Sequence, residues 1–191
     1  MLGQLPTTLT INGTDYEIRS DYRNILRIFI AFNSDELSDE EKALIFLRRM
    51  YVKPIKESDI VEAYNAACDF IENHEHSSKH HPKLVDWEKD EALVFAAINK
   101  VAGKEVRSVE YMHWWTFLGY FQCIDREDTW GAVLTIRQKR ARHKKLEKYE
   151  SEFFNANREI CELGSSANRK KEADDFAKKL QKELLEEGGD L

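Results

Sequence analysis

The stretch Tyr111 to Gln122, YMHWWTFLGYFQ, leaves a folding chain few options. Tyr111, Met112, Trp115, Leu118 and then Phe121 or Gln122 recur at the three- and four-residue steps of a helix, and Trp114, Phe117 and Tyr120 widen that stripe until the helix is apolar nearly all round. Each aromatic ring removes roughly 150–250 Å² from water on burial. Such a helix belongs at the centre of a bundle or at a subunit contact. Ser108 is its expected N-cap. The preceding segment predicts a helix opening at Trp87, capped by Asp86, with Glu88, Asp90 and Glu91 in its first turn and Gly103 as its stop. Its apolar stripe is Trp87, Val94, Phe95, Ile98 and Val101, which leaves Lys89 and Lys100 facing water. The region Leu84–Ile124 holds three of the four tryptophans and no catalytic grammar, so it points to packing and binding.

Charged content of 34% with eight glycines and three prolines favours helices, and 42% apolar residues exclude a wholly disordered chain. The expected fold is mostly α, a bundle of about six to seven helices with a small N-terminal β-hairpin. The hairpin is read from Leu9-Thr10-Ile11 and Tyr16-Glu17-Ile18 around Asn12-Gly13, residues that tolerate positive φ. Two strands alone are marginal, so they must lie on the helical body or pair with another chain. Ser20 or Asp21 then caps a helix that buries Tyr22, Ile25, Leu26, Phe29 and Ile30. Ser38 and Glu41 form a capping box before Ala43, Leu44, Leu47, Met50 and Tyr51, and Pro54 ends that helix. A third helix, Ser58 to Asn73, buries Ile60, Val61, Tyr64, Ala67, Cys68 and Ile71. Asp128 or Thr129 starts another, with Trp130, Val133, Leu134 and Ile136 apolar, and Leu146–Leu163 carries Tyr149, Phe153, Phe154 and Ile160 at helical spacing. Cys68, Cys123 and Cys161 are far apart, an odd set that reads as buried thiols.

Residues 1–163 read as one helical domain and 164–191 as a hinged, charged C-terminal helix or flexible tail. From Ala167 to Glu187 the only large apolar residues are Phe176, Leu180, Leu184 and Leu185, a narrow stripe on a charged helix that frays or orders only against a partner. No apolar run approaches the ~20 residues that span a bilayer, and the N-terminus has no leader pattern, so a cytoplasmic chain with no membrane partner is expected.

Three constellations invite a chemical reading. His74, His76, His80 and His81 with Glu75 could ligate zinc or nickel, but the segment is rich in serine and lysine and offers no cysteine pair, so a polar loop is expected and no cofactor. The run Arg137, Lys139, Arg140, Arg142, His143, Lys144, Lys145 contains no acid. Residues 1–136 carry 15 Lys and Arg against 23 Asp and Glu, or −8, whereas residues 137–191 carry 14 against 12, or +2. A basic helix end of this kind could grip phosphates, with Trp130 or Tyr149 stacking on bases. The pI near 5.6 opposes that, and docking on an acidic protein surface fits as well. Finally, Glu110 and His113 lie three apart and could form an acid–base pair. Beside two tryptophans a satisfied core histidine is the plainer reading, and no GxGxxG, P-loop or GxSxG is present. The chain is expected not to be an enzyme.

The segments DWEKD (86–90), FAAIN (95–99), EYMHWWTF (110–117) and IRQKR (136–140) together resemble a family of siphophage tail-morphogenesis proteins. The resemblance extends to DYRNILRIFIAFNS, LSDEEKALIFLRRMY and KLEKYESEFFNANREI, about residues 15–163. It implies a tail assembly chaperone that binds the tape measure protein, keeps it soluble, and in turn contacts the tail-tube protein. It also implies work in the host cytoplasm rather than the mature virion, and in that reading the acidic front and the basic segment favour self-association along the client. The alternative is a nucleic-acid-associated helical protein using residues 137–145. Candidate partner-binding residues are Trp114, Trp115, Arg137, Lys139, Arg140, Arg142, Phe176, Leu180 and Leu184.

Overall fold

Asn12 and Gly13 both take positive φ, 49° and 76°, and turn strand β1 (Thr8–Ile11) into its antiparallel partner β2 (Thr14–Glu17), with Leu9 opposite Tyr16 and Ile11 opposite Thr14. Positive φ at both central residues matches the right-handed twist of a tight hairpin. The computed structural model describes residues 3–73 and 83–163. Within them the hairpin is supported by the helical body. The Tyr16 hydroxyl donates to Asp59 Oδ2 at 2.7 Å, Asn12 Nδ2 donates to Asp59 Oδ1 at 3.2 Å, and Tyr16 meets Tyr51 edge-on. The hydroxyl of Tyr16 holds the Asp59 carboxyl below its ordinary value. Beyond β2 the chain pairs with residues 50–52, through Arg19 N–H to the Met50 carbonyl and Val52 N–H to the Glu17 carbonyl.

Eight α-helices follow among the described residues: α1 (Tyr22–Phe32), α2 (Asp39–Met50), α3 (Ile60–Ile71), α4 (Glu91–Ala102), α5 (Trp114–Gln122), α6 (Thr129–Ala141), α7 (Lys148–Ala156) and α8 (Arg158–Cys161). The protein is thus mostly helical with one small hairpin. Local chemistry sets many of the ends. Asp21 caps α1 by accepting from Arg23 N–H, Ser38 and Glu41 form the capping box of α2, and Gly103 ends α4 in the left-handed region at φ 66°.

The core centres on α1, α4 and α5. Tyr22 stacks on Phe117 with centroids 4.4 Å apart and planes 3° from parallel, Phe95 packs against both, and Phe29 joins Trp87 to Trp114. Stacked and edge-on ring pairs add roughly 0.5–1.5 kcal/mol each beyond the area they bury. Of the apolar stripe of α5, Trp114 and Phe117 are buried in this core, whereas Trp115, Leu118, Tyr120 and Phe121 are half-buried.

Several expected boundaries shift, each for a tertiary reason. Ser108 does not cap α5: it ends a single 3₁₀ turn, Val106–Ser108. Residues 112–114 are held extended by backbone bonds to 20–22, so α5 starts only at Trp114, with His113 as its N-cap, and Tyr111 is left 54% exposed. Asp86 closes a turn over Glu88 and Lys89 instead of opening a helix, and α4 begins at Glu91 behind Asp90. Helix α2 ends at Met50, before Pro54, because Tyr51 turns extended to pair with Ile18. The last expected helix breaks at Asn157 into α7 and α8, and Tyr149 faces solvent.

Inward faces also differ. Helix α2 buries Phe46 and Met50, and α3 buries Ala63, Ala67 and Phe70. Leu44, Ile60 and Val61, expected inside, are 48%, 41% and 67% exposed. Cys161 is buried, Cys68 half-buried and Cys123 exposed, all as free thiols.

Candidate functional site

Arg137 stands inside the protein. Only 4% exposed, it projects from α6 toward the turn that precedes α4 and toward α8. An arginine offers five N–H donors in a rigid fork, and here each has an acceptor. Nη1 donates to Asp90 Oδ2 at 2.5 Å and the Leu84 carbonyl at 2.9 Å. Nη2 donates to Asp90 Oδ1 at 2.8 Å and the Ile160 carbonyl at 2.7 Å, and Nε reaches the Cys161 carbonyl at 3.2 Å. Asp90 Oδ2 also accepts the Asp86 N–H at 2.8 Å, and the guanidinium lies 5.5 Å from the Trp130 ring. The two charges clasp segments 47 residues apart and fasten the end of the described chain to the bundle. Arg137 is therefore not a surface cation.

Its neighbours in the basic run divide. Lys139 pairs with Glu150 at 2.6 Å. Burial works to raise the Glu150 carboxyl, but Lys139 and the Glu147 N–H outweigh it and hold the group below its ordinary value. Arg140 lies over the Phe154 ring at 4.2 Å, and Arg142 is exposed at the end of α6. A groove of about 690 Å³ runs between α6 and α7, lined by Thr129, Ala132, Ile136 and Lys139 on one side and by Tyr149 and Phe153 on the other. A basic shelf of Arg126, Arg142 and Lys144 extends it.

The tryptophan pair also works internally. Trp114, 3% exposed, donates Nε1–H to the Ile71 carbonyl at 2.9 Å, and half-buried Trp115 donates to the Phe70 carbonyl at 2.8 Å. A helix leaves its last carbonyls without intrahelical partners, and the two indoles supply donors at the C-terminus of α3. His113 is as fully engaged: Nε2–H donates to the Pro6 carbonyl at 2.9 Å, and Nδ1 accepts the Trp115 N–H at 3.1 Å. Burial pushes its pKa below the ordinary histidine value. Both ring nitrogens serve backbone groups, so His113 and the exposed Glu110 do not form an acid–base pair.

The exposed aliphatic surface lies elsewhere. Leu44 of α2, Val52 of the following loop and Ile60 at the start of α3 line a cleft of about 380 Å³ together with Leu47, Tyr51 and Ile55. Val52 is 38% exposed, and Val61 follows Ile60 in the chain. Arg19 also lines the cleft, its guanidinium donating to the carbonyls of Arg48 at 2.9 Å and Val52 at 3.2 Å and also to that of Tyr51. Sequence periodicity marked Leu44, Ile60 and Val61 as apolar positions and assigned them to the core. Leu44, Val52 and Ile60 thus leave aliphatic side chains uncovered along one cleft.

Among the described residues no cluster of His, Cys, Asp and Glu could hold a metal ion, and no helix is long and apolar enough to cross a membrane. His74, His76, His80 and His81, and the tail residues Phe176, Leu180 and Leu184, lie outside the described residues. A family model described as Bacteriophage Gp15 protein matches residues 1–163. No curated protein and no solved structure matches.

Proposed function

The chain belongs to the bacteriophage Gp15 protein family, and from that premise we propose that it is a tail assembly chaperone, binding the tape measure protein and keeping it soluble while tail-tube subunits polymerise around it. The observation that carries this reading is the aliphatic cleft between α2 and α3. A tape measure protein of long apolar helices needs its stripes shielded until the tube encloses them. An apolar cleft presented on a rigid helical body can take one such stripe through residues at i, i+3, i+4 and i+7. Covering the half-exposed side chains of Leu44, Val52 and Ile60 contributes roughly 1 kcal/mol each, by the usual value for burying an aliphatic side chain, so several weak contacts repeated along a client suit reversible shielding. The groove between α6 and α7, with exposed Tyr149 and the shelf at Arg142, is a second surface for the client or for the tail-tube protein. The reading places the protein in the host cytoplasm, self-associating along its client, without a cofactor and outside the mature virion. A nucleic-acid role through residues 137–145 loses support from the commitment of Arg137 to Asp90 and of Lys139 to Glu150.

The test is co-expression with a tape measure protein from the same phage genome, followed by affinity capture and size-exclusion chromatography with light scattering. The reading expects a soluble complex of fixed ratio, lost in Leu44→Glu/Ile60→Glu and kept in Tyr111→Ala, with the unfolding midpoint of the double variant little changed. An insoluble client in the presence of the wild-type chain would overturn the chaperone role. A soluble complex indifferent to Leu44→Glu/Ile60→Glu would remove the cleft from it.

A further inference from the structure

Helix α2 has a second open flank, and its chemistry differs from that of the aliphatic cleft. Between α1 and α2 runs a groove of about 620 Å³ with a floor of Ile30, Ala31 and Ile45 and a rim of Arg19, Arg27, Arg48 and Arg49. Arg19 is engaged with backbone carbonyls, whereas Arg27, Arg48 and Arg49 are exposed and make no ion pair among the described residues. Among the described residues no carboxylate lines the groove. The groove between α6 and α7 differs in both respects: Glu127 and Glu150 line it, and its lysine is paired. An apolar floor under unpaired guanidinium groups selects a segment that carries carboxylates and aliphatic side chains together, and guanidinium forks bind carboxylates in bidentate fashion.

The chain contains one such segment beyond the described residues. Glu183–Leu191, ELLEEGGDL, has four acidic residues, three leucines and no base, in contrast to residues 169–182, where six Lys and Arg face three Asp and Glu. We propose that the groove between α1 and α2 is the docking site of the chain's own segment Glu183–Leu191. The floor of Ile30, Ala31 and Ile45 would receive Leu184 and Leu185, and the rim of Arg27, Arg48 and Arg49 would receive Glu183, Glu186 and Glu187. Reach is sufficient. The twenty residues from Leu163 to Glu183 extend to about 65 Å, whereas a body of this size has a radius of gyration near 15 Å and is about 40 Å across. Tethering raises the local concentration of the segment to the millimolar range, which favours the same molecule over a second copy. Because α2 forms one wall of this groove and also contributes Leu44, Leu47 and Arg48 to the aliphatic cleft, the docked segment lies against the helix whose other flank bears that cleft.

The experiment uses the full chain with Leu184 replaced by the photoreactive residue p-benzoylphenylalanine, irradiated at micromolar concentration, with adducts mapped by mass spectrometry. The proposal expects adducts concentrated in residues 24–31 and 45–49 within single chains, with a yield per molecule that does not change on tenfold dilution. That yield should fall at least fivefold in Arg27→Glu/Arg48→Glu and recover when Glu186→Arg/Glu187→Arg is added. The recovery separates lost attraction from damaged folding. Adducts spread over the surface or centred on the groove between α6 and α7 would overturn the proposal, as would adducts that join two chains and vanish on dilution. No client is present in the assay, so its outcome stands apart from that of the co-expression experiment.

Discussion

Replacing Arg137 by methionine should cost about 4 kcal/mol. The substitution keeps an unbranched side chain of similar length and removes five donated hydrogen bonds. Asp90 then holds a buried charge with only the Asp86 N–H facing it, and the carbonyls of Leu84, Ile160 and Cys161 lose their donor. Breaking a buried ion pair from one side costs roughly 3–5 kcal/mol because the surviving charge is stranded. The middle of that range applies here, since Leu84 and Ile160 are half-buried and water can reach them. For a domain of this size each kcal/mol lowers Tm by about 2–4 °C, so the expected fall is roughly 8–16 °C. Asp90→Asn should cost about 3 kcal/mol, most of it from the guanidinium left without its counter-charge. The double variant has neither stranded charge and should cost about 4 kcal/mol, not 7, giving a coupling of about 3 kcal/mol. Urea unfolding followed by tryptophan fluorescence and by circular dichroism measures all four corners of the cycle, with exposed Arg142→Met as a control expected within about 0.5 kcal/mol. Additivity of the two single changes within about 0.5 kcal/mol would refute the clasp, and so would an Arg137→Met cost below about 1 kcal/mol.

Gly131→Ala should destabilise by about 2 kcal/mol or more, since a Cβ there would sit 2.1 Å from the Asp125 carbonyl oxygen and 2.7 Å from Arg126 Cα, backbone atoms that cannot swing aside; an unchanged Tm would contradict that packing. Stability should decline as pH falls below about 6.5, because burial holds His113 below the ordinary histidine value and the unfolded chain takes a proton that the folded chain refuses. His113→Asn keeps an acceptor for the Trp115 N–H and removes the titration, so urea midpoints measured from pH 7.5 down to 5.5 should slope less than in the wild type. Equal slopes would rule out His113 as the source. Asp59→Ala should free the hairpin before the helices melt, seen as faster amide exchange at residues 8–17 with little change in α4 and α5. Uniform exchange throughout the chain would show that the Tyr16 and Asn12 bonds do not hold the hairpin.

What could be read from the sequence was whatever a few adjacent residues decide together. Asn12-Gly13, the Ser38–Glu41 box and the stop at Gly103 are local devices, and each appears where its residues predict. Ser108 and Asp86 carry equally good local signals. They lost to contacts that a short window cannot contain: the extended pairing of residues 112–114 with 20–22, and the recruitment of Asp90 by an arginine 47 positions later. The same blindness hid the role of Arg137, which belongs by composition to a basic helix end and by geometry to the interior. Apolar spacing found Leu44, Ile60 and Val61 but could not say whether anything covers them. Trp114 and Trp115 were legible as important and not as caps on α3, because the carbonyls they satisfy lie more than 40 residues away.

The fan of acceptors around Arg137 also sets an order of events at the ribosome. Asp90 and Leu84 emerge before the arginine does, but two of the five acceptors, Ile160 and Cys161, are nearly the last described residues to be synthesised. A nascent chain that ends before them lacks two of the five acceptors, so the clasp on α4 and α6 is completed only when α8 arrives. Truncation before Ile160 should therefore yield a nascent protein with a ready hairpin end and an unfinished clasp.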